Sequence, residues 1–264
     1  MSDGEIAGAG RFTVSGEVYD RFMGRYSTLL AVPFVDAAGI EAGQTVLDVG
    51  SGPGALTAEL VRRVGVEHVA AVDPAPQFVD AVRERLPGVD ARVGRAEELP
   101  FPDGRFDTAL AQLVLHFVTD AEATAREMRR VVRPGGVVAA CVWDFTGGMQ
   151  MLRLFWDAAL ALDPDAPDYE RTRPFGRDGE IAELFEHAGL EDVTRGSLEV
   201  ETSYVDFDDF WTPFLSNTGP AGAYIAPLDD AQRARLREEL RARVGSPAGP
   251  FTLTASAWYA AGRV

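Results

Sequence analysis

Residues 46–54 read VLDVGSGPG, an apolar run that ends in three closely spaced glycines. The run predicts a buried β-strand. The glycines predict a tight turn in which a ligand can approach the backbone without meeting a β-carbon. Residues 55–64 then have the spacing of a helix. A strand, a glycine turn and a helix in this order are typical of a ligand-binding end of an α/β sheet, although the glycine pattern alone is weak.

The same alternation continues along the first half of the chain. The predicted strands are 45–49, 68–72, 90–93, 106–112 and 137–142, and the predicted helices between them are 55–64, 77–86 and 121–132. Short apolar runs alternating with helices indicate a parallel sheet with helices on both faces. The loops after Val49, Val72, Val93 and Gln112 should therefore meet in one crevice at the carboxyl ends of the strands.

The segments before and after this region do not show the same alternation of strands and helices. Residues 1–14 are predicted to be a flexible terminus, and residues 15–40 a cap helix broken at Pro33. The second half is predicted to contain helices at 148–162, 179–188 and 229–244 and strands at 190–204 and 251–259. These two strands suggest an antiparallel edge on the sheet. We expect one domain over 15–264, with helical lid segments at about 144–189 and 205–248.

Composition excludes several classes of function. The 264 residues are 46% hydrophobic, and 41 acidic against 25 basic residues give a formal net charge of -16. A surface this acidic disfavours binding to nucleic acid or to an anionic membrane. The chain has no lysine, which excludes Schiff-base chemistry, a phosphate-loop lysine and a Tyr-Lys dehydrogenase pair.

Cys141 is the single cysteine of the chain. One cysteine forms no disulfide within the chain and no thiolate metal cluster, and its valine neighbours favour an inert core thiol. No metal site is predicted. The sequence shows no leader of signal-peptide type and no run of about 18 apolar residues. We therefore expect a cytoplasmic protein.

Two acidic residues flank the glycine turn in the sequence. Asp48 lies inside the first predicted strand, and Asp73 ends the second. A buried carboxylate costs desolvation unless it is paired. Pro53 also removes an N–H that a pyrophosphate would use. The two carboxylates, Asp48 and Asp73, favour a cationic or neutral ligand and disfavour a diphosphate. The alternative is that the segment binds no ligand and is only a tight turn with a helix cap.

The chain resembles the class I S-adenosylmethionine-dependent methyltransferases, in particular the small-molecule branch that includes the ubiquinone/menaquinone methyltransferases. The resemblance runs from about Tyr19 to Asp144 and, more loosely, to the last predicted strand. Its carriers are VLDVGSGPG (46–54), VDP (72–74), GRAEELPFPDGRFD (94–107), LVLHFV (113–118) and REMRRVVRPGG (126–136). The family implies a Rossmann-like, seven-stranded, mostly parallel sheet whose last strand is antiparallel.

The resemblance also implies roles for individual residues toward S-adenosylmethionine. Its methionine part would be held by Tyr19, Arg25, Gly50, Ser51 and Gly52. Its ribose would bind Asp73, and its adenine would lie near Pro74, Ala96 and Glu97. Asp48 would support the glycine loop, and Gln112 would lie below the sulfonium. Arg95 departs from the family pattern, because aspartate is frequent at this position. An arginine cannot accept a hydrogen bond from the adenine amino group, so that contact must come from elsewhere.

Fewer sequence motifs indicate which residues bind the methyl acceptor. His116 follows the fourth predicted strand and is the candidate general base, with a structural histidine that caps the turn as an equal alternative. Trp143, Asp144 and Trp211 are candidates for acceptor binding. For the two tryptophans the alternative is a place in the core, and for Asp144 it is a helix N-cap.

These observations predict methyl transfer from S-adenosylmethionine to a small organic acceptor, first at oxygen, with nitrogen or carbon open. A nicotinamide-dependent oxidoreductase is the second hypothesis, opposed by Asp48, Pro53 and the missing lysine. A non-catalytic protein that binds the cofactor is the third. The oligomeric state is left open.

Overall fold

The computed structural model describes residues 24–216 and 219–264. The strands within these residues are β1 (Val46–Val49), β2 (Val69–Asp73), β3 (Asp90–Val93), β4 (Phe106–Gln112), β5 (Val132–Trp143), β6 (Glu191–Tyr204) and β7 (Phe251–Arg263). The helices are α1 (Arg25–Ala37), α2 (Ala55–Val64), α3 (Pro76–Arg85), α4 (Ala121–Val131), α5 (Gln150–Leu162), α6 (Glu180–His187), α7 (Phe207–Trp211), α8 (Gly219–Ile225) and α9 (Asp230–Arg243).

The seven strands form one sheet in the order β3-β2-β1-β4-β5-β7-β6. Strands β1 to β5 are parallel, and β7 is antiparallel to both β5 and β6. This confirms the predicted mostly parallel sheet with an antiparallel last strand. The antiparallel strand β7 does not lie at the edge of the sheet, as expected, but between β5 and β6, and β6 forms the edge.

The central strands lie between layers of helices. Every residue of β1 and β2 is buried, as expected for parallel strands covered on both faces. Strands β2 and β3 are added to one edge of β1, whereas β4 and β5 are added to its other edge. Right-handed crossovers then place α2 and α3 on one face and α4 on the opposite face. The strand order reverses between β1 and β4, where a ligand crevice is expected.

Two local predictions are corrected. Pro33 does not break the first helix, since α1 runs through it, and buried Leu30 and Phe34 on either side anchor the helix to the core. Strand β5 begins at Val132 and not at Val137, because the register against β4 shifts between Phe106 and Thr108. The intervening turn residues bulge out of the pairing.

The segments predicted as a lid fold as helices α5 and α6 (within 144–189) and α7 to α9 (within 205–248). Helix α5 contacts β7, α8 and α9, so the two segments pack on each other. Their function as a lid stays a prediction. In the described part of the chain, the helices are too short or too polar to cross a membrane.

Candidate cofactor site

The loops after β1, β2, β3 and β4 enclose a single cavity at the carboxyl ends of the strands. Nine residues predicted to contact the cofactor line it: Asp48, Gly50, Ser51, Gly52, Asp73, Pro74, Ala96, Glu97 and Gln112. The loops converge as the alternation of strands and helices predicted. Tyr19 lies outside the described residues, and Arg25 does not line this cavity.

The glycine turn is held by the neighbouring strand. The N–H groups of Gly50 and Ser51 donate to the Val72 carbonyl at 2.8 and 3.0 Å. Gly50 has a φ of +73°, and a Cβ there would lie 2.6 Å from Val114. Gly52 has a φ of +51°, and a Cβ there would meet no atom within 4 Å. Packing therefore requires the first glycine, whereas the second borders open space that a ligand can occupy.

Asp73 connects the second strand to the turn. One carboxylate oxygen accepts the Gly52 N–H at 2.8 Å, and the other accepts the Ala75 N–H at 2.9 Å. Burial raises the pKa of Asp73, and the two amide donors oppose that rise. Each oxygen keeps further acceptor capacity. The carboxylate can therefore accept the two hydroxyls of a ribose while it fixes the loop.

Asp48 is buried beneath the turn, with 1% of its surface exposed. It accepts a hydrogen bond of 2.6 Å from the Thr57 hydroxyl. Burial, with a contribution from the charge of Asp73, raises the pKa of Asp48 to about 7. A cationic ligand nearby favours the ionised form of such a group, whereas a diphosphate disfavours it.

Gln112 presents an unused acceptor to the cavity wall. Its Nε2 donates to the Ser27 carbonyl of α1 at 2.9 Å, while its Oε1 is buried and has no hydrogen-bond partner. A buried unpaired carbonyl oxygen costs free energy until a donor or a positive charge reaches it. This orphaned oxygen and the open space at Gly52 fit a ligand that carries a sulfonium and an ammonium group.

The adenine end is shaped by Glu97. The Glu97 Oε1 accepts the Thr119 N–H at 2.9 Å and the Arg95 guanidinium at 3.2 Å. Partial burial raises the pKa of Glu97, but the Thr119 amide and the charge of Arg95 outweigh it, so the pKa is lowered overall. Arg95 also donates to the Thr119 hydroxyl. Arginine at this position therefore orients a carboxylate, which can take over the acceptor role toward adenine.

Arg25 has a different partner from the predicted methionine carboxylate. Its guanidinium donates to both oxygens of Asp209 at 3.2 and 2.9 Å and lies 4.7 Å from the ring centroid of Tyr204. Arg25 and Asp209 line a second cleft of about 1040 Å³, which shares Pro53 and Ala55 with the cofactor cavity. No local pattern in the sequence indicates this pairing, because Asp209 is 184 residues away.

His116 follows β4 and lies beside two aromatic side chains. Its imidazole packs against Phe117, with ring centroids 3.9 Å apart, and against Phe145 at 5.3 Å. Phe117 lines the cavity, whereas His116 does not. Burial, with the charge of Arg173, lowers the pKa of His116 well below its ordinary value. Neutral imidazole is therefore the resting form, and its role as a base stays a prediction.

The residues predicted to bind the acceptor do not line the cofactor cavity. Trp143 is 1% exposed and meets the Tyr26 ring edge-on at 6.2 Å. Trp211 is buried against Phe214. Asp144 accepts the backbone N–H groups of residues 146–148 and caps that turn. The core alternative thus describes the two tryptophans, whereas the helix N-cap alternative for Asp144 is wrong, because the N-cap of α5 is Met149. Binding of an acceptor by these three residues stays a prediction.

Sequence reasoning missed several residues of the site. Ser27, Phe78, Val114, Phe117 and Thr119 line the cavity. Thr119 sits seven residues beyond β4, and its amide is a partner of Glu97. Apolar residues within loops resemble ordinary packing residues, so the only available signal was their position after a strand end.

Comparison with known proteins agrees with this geometry. Residues 47–140 match a protein family described as a methyltransferase domain. An uncharacterized methyltransferase of Mycobacterium tuberculosis is 44% identical over 103 residues, which are 39% of this chain and 41% of that protein. The ubiquinone/menaquinone biosynthesis C-methyltransferase of Vibrio cholerae is 40% identical over 109 residues, which are 39% of this chain and 42% of that protein. The chain thus spans about two fifths of the length of the curated relatives it matches.

Solved structures extend the likeness to most of the fold. A protein from Anaeromyxobacter dehalogenans, named as a candidate type II methyltransferase, is 25% identical with a TM-score of 0.63. The alignment covers 89% of this chain and 95% of that one. The matched segment 47–140 contains β1 to β4 and most of β5, and with them most of the cavity wall. Residues 47–140 thus match a methyltransferase domain, and the fold around them is shared with a solved structure of a methyltransferase.

Proposed function

We propose that the protein transfers the methyl group of S-adenosylmethionine to a small organic acceptor. The observation that carries this proposal is the set of oxygen acceptors that line the cavity, among which the Gln112 Oε1 has no hydrogen-bond partner. Asp48, Asp73 and the Gln112 Oε1 all present oxygen to one cavity. Oxygen acceptors suit a positively charged sulfur nucleoside and oppose the pyrophosphate of a nicotinamide cofactor.

The residues of the site position the cofactor. Asp73 would hold the ribose, Gln112 would face the cationic methionine part, and Glu97 would reach the adenine edge. When bound, the cofactor supplies an electrophilic methyl group for in-line displacement. The chain contributes alignment and exclusion of water, because Phe117 and Val114 close the cavity with apolar surface.

Oxygen is the accepting atom that we propose first. A carbon acceptor is the second candidate, because the Vibrio cholerae relative is named a C-methyltransferase. That similarity covers 39% of this chain. The net charge of -16 favours a small molecule over nucleic acid as the acceptor.

Calorimetric titration tests the cofactor. We expect S-adenosylmethionine and S-adenosylhomocysteine to bind, and NAD(H) to show no binding at the same concentrations. Binding of NAD(H) alone would overturn the proposal.

An acceptor screen tests the reaction. Small phenols, amines and enols are incubated with methyl-¹³C-labelled S-adenosylmethionine, and release of S-adenosylhomocysteine is measured. The ¹³C shift of the product separates O-methyl from C-methyl. If the protein binds the cofactor and no acceptor turns over, a non-catalytic binding role replaces the enzymatic one.

A further inference from the structure

Four arginines lie on α5 and in the segment between α5 and α6, and among the described residues only Arg173 lacks an acidic partner within 4 Å. Arg153 pairs with Asp168 at 2.6 Å, with 7% of each side chain exposed. Arg171 pairs with Asp157 and Asp168, both at 3.1 Å. For Arg173 the described residues provide no carboxylate within 4 Å and no hydrogen-bond partner for its buried Nε. Its charge is therefore not neutralised in the way that its neighbours are.

Arg173 and His116 share two aromatic neighbours. The guanidinium carbon of Arg173 lies 5.3 Å from the centroid of Phe117 and 5.5 Å from that of Phe145. The same two rings flank the imidazole of His116, whose Nδ1 is buried and has no partner. Two unsatisfied polar side chains thus occupy one apolar environment.

Glu170 is an acidic residue close enough to influence Arg173, but it is engaged elsewhere. Its carboxyl group accepts the indole N–H of Trp156 at 2.6 Å. Burial raises the pKa of Glu170 to about 7, against the opposing charge of Arg173. A carboxyl group that is partly protonated at neutral pH neutralises a guanidinium incompletely, whereas arginine stays charged.

The cluster of Arg173, His116, Phe117 and Phe145 adjoins the cofactor cavity. Phe117 belongs to both, since it lines the cavity and stacks on His116. The acidic residues of the cavity lie within β1 (Asp48), at the end of β2 (Asp73) and after β3 (Glu97), whereas His116 and Phe117 follow β4 and Phe145 follows β5. The site therefore has oxygen acceptors around the cofactor and an unpaired cation beyond Phe117.

We propose that Arg173 and His116 bind an anionic oxygen of the methyl acceptor, a phenolate, enolate or carboxylate on a conjugated, planar molecule. A partly buried guanidinium whose Nε has no hydrogen-bond partner is costly, and an oxyanion would offset that cost through charge-assisted hydrogen bonds. The imidazole nitrogen can donate to the same oxygen, and the rings of Phe117 and Phe145 suit a planar partner. This inference rests on the proposed function and narrows its acceptor to organic acids.

Binding of matched probes to the protein loaded with S-adenosylhomocysteine tests the inference. One pair is 4-nitrophenol and 4-nitroanisole, and the other is benzoate and benzamide. We expect the acidic member of at least one pair to bind at least about tenfold more tightly. Bound 4-nitrophenol should show the visible absorption of the phenolate at a pH where the free probe is mainly neutral. The pair with the larger preference separates a phenolate-type from a carboxylate-type acceptor.

Variants connect that preference to the arginine. Arg173→Gln should lose the preference by about ten- to a hundredfold, and Arg173→Lys should retain part of it. Arg177→Gln is the matched control, because Arg177 is exposed and pairs with Glu180. Affinity for S-adenosylhomocysteine should be unchanged in all three variants.

Three outcomes would overturn the inference. They are equal binding of acidic and neutral probes, no binding of either acid at millimolar concentration, or an unchanged preference in Arg173→Gln. Failure of S-adenosylhomocysteine itself to bind would instead overturn the proposed function.

Discussion

Replacing Asp48 by asparagine should make the protein more stable than the wild type at neutral and alkaline pH. The pKa of Asp48 rises from 3.8 to about 7 on folding because the carboxyl group is buried. A raised pKa means that the folded state favours the protonated form. The contribution of Asp48 to the stability of the wild type is therefore most favourable below pH 4, and it falls as the pH rises from about 4 to about 7. Asparagine has no proton to lose and can still accept from Thr57.

The pKa difference fixes the size of the effect. At about 1.4 kcal/mol per pH unit, a pKa change from 3.8 to about 7 corresponds to about 4 kcal/mol, of which about 3 kcal/mol falls between pH 5 and pH 8. Other titrating groups are common to both proteins and cancel in the difference between them.

Urea denaturation of the wild type and Asp48→Asn, followed by far-UV circular dichroism from pH 5 to pH 9, measures this difference. Asp80→Asn is the control, since Asp80 is an exposed carboxylate that pairs with Arg83, and its difference from the wild type should stay within about 0.5 kcal/mol. A difference between Asp48→Asn and wild type that does not change with pH would refute the argument that burial governs this carboxyl group.

Three further predictions concern the cavity, the histidine and the buried ion pair. Gly52→Ala should weaken S-adenosylmethionine binding by at least about tenfold in calorimetry while costing about 1 kcal/mol of stability; Gly43→Ala, also at positive φ in open space, should cost similar stability and leave binding intact. His116→Ala should lose most turnover with an identified acceptor and keep cofactor affinity, and unchanged turnover would remove His116 from the mechanism. Asp168→Ala should cost about 3 kcal/mol in urea denaturation, because it leaves the buried Arg153 guanidinium without its close carboxylate partner and with only Asp157 at 3.9 Å; a cost below about 1 kcal/mol would contradict this.

Local patterns in the sequence were sufficient for the cofactor half of the fold. The strand β1, the glycine turn and the helix α2 are contiguous, so their spacing alone predicts them. Asp73 could be placed beside Gly52 because parallel neighbouring strands bring their ends together. The described contact between these two residues agrees with that placement.

Contacts between distant segments could not be predicted in this way. Arg25 is paired by Asp209 and His116 is covered by Phe145 and Arg173, all from segments that have no fixed register with the first half. The continuation of α1 through Pro33 depends on packing of its buried face, which outweighs the loss of one backbone hydrogen bond. The acceptor side is built from such contacts and therefore was the weakest part of the prediction.

The interior position of β7 has a consequence for the order in which the molecule assembles. Among the described residues, β6 pairs with β7 alone. Residues 191–204 therefore have no neighbour to hydrogen-bond with until residues 251–263 have been synthesised, while β1 to β5 can already form a sheet. During translation, β6 therefore stays unpaired until β7 has been synthesised. Throughout that interval its backbone N–H and C=O groups can pair with strands of other chains.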